Sequence, residues 1–127
     1  MAPGTVDSYL VWKKPTYKAG LWLEVANHGT EEISIRDGEV VGISIDATGV
    51  IMKGEPYPEV EIAGIHLGDS NDEVLATLGT NHIYTFDWGG GSVEYTYDLG
   101  NGTKLEINTF QDYGVTFIYL NNEIKAE

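Results

Sequence analysis

The chain predicts an α+β fold: antiparallel β-meander sheets from a tandem repeat, with one short helix packed on the sheet. Three observations carry this. Apolar and polar residues alternate through most of the 127 residues, the period of a strand with one wet face. Only one segment, residues 64–79, has helix punctuation at both ends. A shift of 75 positions lays Gly4-Thr5 on Gly79-Thr80, Tyr9 on Tyr84, Asp37 on Asp112, Val40 on Val115 and Ile43 on Ile118. Repetition at a fixed spacing bounds architecture before composition does. The expectation is one domain, 1–127, made of two units: a truncated sheet unit, 4–54, lacking its helix, and a helix plus four-strand unit, 62–121. The missing helix, and any export signal, would lie upstream of Met1.

The elements follow in order. Ser8 to Trp12 is an apolar, aromatic strand closed by a Lys-Lys-Pro turn. Leu21, Leu23 and Val25 alternate with Trp22 and Glu24, a half-buried strand that puts Trp22 on the outer face. Ile33 and Ile35 continue as strand to a hairpin turn at Asp37-Gly38, and Val41, Ile43 and Ile45 return. Residues 49–53 read as one more short strand. Pro56 and Pro58 forbid helix and central strand, so 55–59 is the joint. Ser70-Asn71-Asp72-Glu73 is a capping box, Val74, Leu75 and Leu78 form the apolar stripe, and Gly79 supplies the stop. Four strands remain: His82 to Trp88, ended by Gly89-Gly90-Gly91; Val93 to Leu99; Leu105 to Thr109; and Val115 to Leu120, apolar on both faces and so central.

Charge excludes several functions. Lys+Arg 7 against Asp+Glu 20 gives −13, and no Lys or Arg occurs from Gly54 through Thr103. A phosphate backbone would be repelled, so no nucleic acid is expected, and no membrane insertion, since no run has spanning length. A basic protein partner suits the field. Without cysteine, thiolate chemistry is impossible. His28, His66 and His82 lack metal-ligand spacing, and the Asp69–Glu73 cluster lacks the Gly and Glu positions of a calcium loop, so capping explains it. No nucleophile elbow or phosphate loop is present. The reading is a non-enzyme without cofactor or metal.

The run Gly64-Ile65-x-Leu67-Gly68-x-Ser70-x-x-Glu73-Val74-x-x-x-Leu78-Gly79, followed at once by a β-meander, resembles the repeat of the SmpA/OmlA lipoproteins and of the β-lactamase-inhibitor-protein family. The resemblance covers Gly64 to Leu120 well, and only the sheet part of Gly4 to Asp46. It implies a non-enzymatic, extracytoplasmic or cell-envelope bacterial protein that binds another protein, as an inhibitor or in envelope assembly. The competing expectation is a cytosolic, acidic immunity protein that neutralises a basic toxin.

Aromatic content points to the binding residues. Trp22, Glu24, Trp88, Glu94 and Asp98 lie on or beside strands, and Trp22, Glu24, Glu94 and Asp98 are opposite in phase to the core positions. Aromatic side chains rimmed by carboxylates form protein-binding surfaces, and the five are the candidate site. The alternative is that the aromatics cover the core of the second unit.

Overall fold

The computed structural model describes residues 1–81 and 84–122. Its strands are β1 (Val6–Lys14), β2 (Ala19–Ala26), β3 (Glu39–Asp46), β4 (Glu61–Ile62), β5 (Ile65–His66), β6 (Tyr84–Gly89), β7 (Ser92–Gly100), β8 (Thr103–Thr109) and β9 (Val115–Asn122). The helices are α1 (Thr48–Met52) and α2 (Asn71–Leu78). Seven strands form one antiparallel sheet in the order β1-β2-β3-β9-β8-β7-β6, and β4-β5 form a small second sheet. The fold is α+β and antiparallel throughout. Two meanders, β1-β2-β3 and β6-β7-β8-β9, meet through their last strands, so β9 is central, as its two apolar faces require.

Alternation decides which face is buried. Across the sheet, Leu21, Ile45, Ile118, Ile107 and Tyr95 share one row, and Leu23, Ile43, Leu120, Leu105 and Tyr97 the next. On this inner side lie Val50 of α1, Val74 of α2, and Ile62 and Ile65 of the small sheet, all in one core cluster. Ile45, Ile65, Ile107, Ile118 and Leu105 are completely buried. Each such side chain stabilises by roughly 1.5–3 kcal/mol.

The inner layer is ordered by three sets of hydrogen bonds, one within α2 and two to the sheet. Ser70 and Glu73 form the capping box: the Ser70 hydroxyl accepts from the Glu73 amide at 3.1 Å, and the Glu73 carboxylate accepts from the Ser70 amide at 3.3 Å. Ser70→Ala is therefore expected to lower stability by about 1 kcal/mol, read from the urea midpoint; an unchanged midpoint would show that the cap contributes nothing. Next along the chain, Asn71 ties the helix start to the sheet. Its Nδ2 donates to the Gly91 carbonyl at 3.0 Å, and its Oδ1 accepts from the Tyr95 and Thr109 hydroxyls, each at 2.9 Å. Third, the Gly68 amide donates to the Val115 carbonyl and the Val115 amide to the Asp69 carbonyl, both at 2.8 Å. This clamps the loop before α2 onto β9 beside Gly114.

Three expectations are corrected. Residues 49–52 belong to α1 and Lys53 caps it, so 49–53 is not a strand. The Asp46 carboxylate accepts from the Thr48 amide (3.1 Å) and hydroxyl (2.9 Å), turning the chain out of β3 into a helical turn that buries Val50. Ile33 and Ile35 do not continue a strand, and Asp37-Gly38 is not a tight hairpin. Residues 27–34 are irregular, and Ile35–Asp37 is a 3-10 turn. Buried Asn27 organises that loop, donating to the Met1 and Glu31 carbonyls and accepting from the Gly29 amide. Shifted by 75 positions, β1 and β3 overlie β6 and β9, but the place of β8 falls on this loop, so the halves contribute three strands and four. The expected strand start at His82 lies outside the described residues.

A candidate protein-binding face

Every strand that sends an apolar residue into the core sends its neighbours to the other side, and the register lines these up in three rows. The central row runs Leu10, Trp22, Ser44, Tyr119, Glu106, Thr96, Tyr84 across all seven strands. On one side lie Ser8, Glu24, Gly42, Asn121, Lys104 and Asp98. On the other lie Lys13, Gly20, Asp46, Phe117, Asn108, Glu94 and Phe86. Apart from Gly20 and Gly42, none of these residues is buried. Among the described residues no layer covers this face.

Trp22, Glu24, Glu94 and Asp98 all belong to it, and Trp88 stands at its rim on the β6 hairpin, 69% exposed. The structure does not gather them into one cluster. β2 and β7 are four strands apart, roughly 19 Å at the usual strand spacing. Trp22 and Glu24 line one concavity, about 470 Å³, with Ser8, Ser44, Phe117 and Tyr119. Glu94 and Asp98 lie across the face, with Trp88 and Phe86 at its far corner; those two rings are 4.5 Å apart, tilted at 55°. Trp22 is half-buried because its ring lies over Gly20, where an added Cβ would come within 2.3 Å of it. Glu24 folds over Gly42 in the same way and accepts the Tyr119 hydroxyl at 2.5 Å. Two glycines thus give the aromatic ring and the carboxylate room to lie flat on the sheet. The alternative placement of aromatics holds for other residues: Tyr95 and Tyr97 are buried in the core, and Trp12 packs against it.

Phe117, Tyr119, Glu106 and Asp46 belong to this face but were not among the residues singled out from the sequence. A signal was present, since each is opposite in phase to Ile118, Ile107 or Ile45. What could not be read was their adjacency, which depends on β3 pairing with β9.

The face is acidic. Glu24, Asp46, Glu94, Asp98 and Glu106 oppose Lys13 and Lys104. Glu106 is pushed above the ordinary carboxylate range, first by burial, then by its hydrogen bond with Glu94 and by the charge there. A native carboxyl with a raised pKa binds its proton more tightly than the unfolded chain does. The resulting stability is present at low pH and is lost as pH rises from the ordinary carboxylate value through the raised one. Glu106→Gln, which keeps a donor toward Glu94, should therefore raise the melting temperature at pH 7 and flatten its fall between mildly acidic and neutral pH. Thermal melts across that range check it; a lower melting temperature at pH 7 would contradict the repulsion.

Elsewhere, among the described residues, His28 lies 3.7 Å from Glu39, and His66 lies 3.5 Å from Glu61 and 3.8 Å from Asp69. Among the described residues no helix is long and apolar enough to cross a membrane. Comparison with protein-family models, with curated proteins and with solved structures finds no match to this chain.

Proposed function

We propose that the chain is a non-enzymatic, exported bacterial module, of inhibitor or envelope-assembly type, that binds a basic protein through the outer face of its sheet. One observation carries the reading: among the described residues no layer covers one whole face of the seven-stranded sheet, yet that face carries Trp22, Phe117, Tyr119, Phe86 and Trp88 among carboxylates. Aromatic anchors within a polar rim are what hot spots are built from, and the acidic surround favours a partner of opposite charge. The net charge of −13 also supports a second reading, a cytosolic immunity protein against a basic toxin. Both use the same face and differ in compartment, so an export signal or an adjacent toxin gene separates them.

The test is capture of partners on the wild-type protein and on Trp22→Ala in parallel, followed by surface plasmon resonance. Trp22 lies outside the core, so the variant should keep its circular dichroism. Its affinity should fall by about 2 kcal/mol, roughly thirtyfold. Charge reversal at Glu94 or Asp98 should mainly slow association and weaken its salt dependence. Equal binding by wild type, by Trp22→Ala and by variants at the Trp88 end of the sheet would remove this face as the site.

A further inference from the structure

At the corner where β3, β9 and β8 meet the β6 hairpin, the face deepens into a cavity of about 470 Å³, lined among others by Asp46, Thr48, Asn108, Gln111, Trp88 and Phe117. We infer that this cavity takes the guanidinium of an arginine side chain carried by the protein partner. The inference rests on the outer face being the binding surface and names what that surface recognises.

The lining offers acceptors and ring faces. No Lys, Arg or His of the described residues lies within ion-pair distance of the Asp46 carboxylate. Asn108 Oδ1 is shielded from water and has no hydrogen-bond partner, an arrangement that is costly until a donor arrives. Asn108 itself lines the cavity, and the residue as a whole is only half-buried. The β6 hairpin that brings Trp88 belongs to the stretch without Lys or Arg, so no lysine or arginine from that segment competes for the site. A group made only of donors, positively charged and flat, answers all of these features.

Geometry favours guanidinium over ammonium. Asp46 and Asn108 flank Phe117 on neighbouring strands, so their backbones are roughly 10 Å apart. The N–H groups on opposite edges of a guanidinium can reach toward both while its plane stacks on Phe117 or Trp88. A lysine ammonium is a compact point and reaches one acceptor at a time.

The test uses blocked tetrapeptides of arginine, lysine and citrulline, followed by amide and indole NMR of the whole chain. The arginine peptide should shift Asp46, Asn108 and the Trp88 indole saturably. The lysine peptide and the neutral citrulline peptide should bind at least about tenfold more weakly. Asp46→Asn should reduce arginine-peptide affinity by a similar factor, and Trp88→Ala, altered at an exposed position, provides the same test if Asp46→Asn disturbs α1. Equal binding of arginine and citrulline peptides, or shifts away from the cavity, overturns the inference. Free arginine binding as tightly as the peptide overturns the assignment to a partner's side chain. Once a partner is in hand, loss of binding in Trp22→Ala but not in Asp46→Asn or Trp88→Ala overturns the pocket and leaves the face. Retention in all three overturns both.

Discussion

Gly114→Ala is expected to destabilise the protein by about 3 kcal/mol or more, enough to remove a large part of the stability of a domain this size. Two effects add. Gly114 has φ +76°, a backbone conformation that side chains resist. An added Cβ would also stand 2.5 Å from both the Asp69 and Gly68 carbonyl oxygens, which are backbone atoms and cannot swing away. Those carbonyls belong to the loop clamped on β9 through the Gly68 and Val115 hydrogen bonds. Relieving the clash therefore means releasing the loop that leads into α2. Chemical denaturation would measure the loss, and hydrogen exchange should show it first in α2. A change below about 1 kcal/mol would mean that the clamp yields without cost.

Asn71→Ala should cost about 2–4 kcal/mol, more than the loss of the Ser70 cap beside it. Removing the amide leaves the Tyr95 and Thr109 hydroxyls without their shared acceptor and the Gly91 carbonyl without its Nδ2 donor. Part-buried groups stripped of a partner lose about 1–3 kcal/mol each. Thr109 can still donate to the Gly91 carbonyl at 3.1 Å, which keeps the total below the sum. Tyr95→Phe combined with Asn71→Ala should then cost little more than Asn71→Ala alone, because the bond from that hydroxyl to the Asn71 Oδ1 is already gone. Additive costs in that double-mutant cycle would show that the two groups do not interact.

The strongest local signals translated directly into structure. Ser70 and Glu73 spell the reciprocal cap that starts α2, and Val93-Glu94-Tyr95-Thr96-Tyr97 spells a strand with one buried face. The two apolar faces of 115–120 require a central strand, and β9 is one. These succeed because they depend on neighbours within a few residues, where backbone geometry and alternation leave little choice. Trp22, Glu24, Glu94 and Asp98 were assigned to the outer face by the same alternation.

Where the outcome depended on distant partners, local pattern was not enough. Ile33 and Ile35 alternate like a strand, yet Asn27 reaches Met1 and Glu31 and holds the segment as a loop. Residues 49–53 carry strand-like Val50 and Ile51, but the Asp46 side chain and a buried berth for Val50 make 49–52 helix, with Lys53 as its cap. The outer face shows the same division. Alternation says which side of its own strand a residue takes, whereas the pairing of β3 with β9 says who stands beside it. That pairing brings Ser44 against Tyr119 and Asp46 against Phe117, residues more than seventy positions apart. Strand pairing at such separation is chosen by burial of the whole inner face at once, a collective energy that no short window of residues contains.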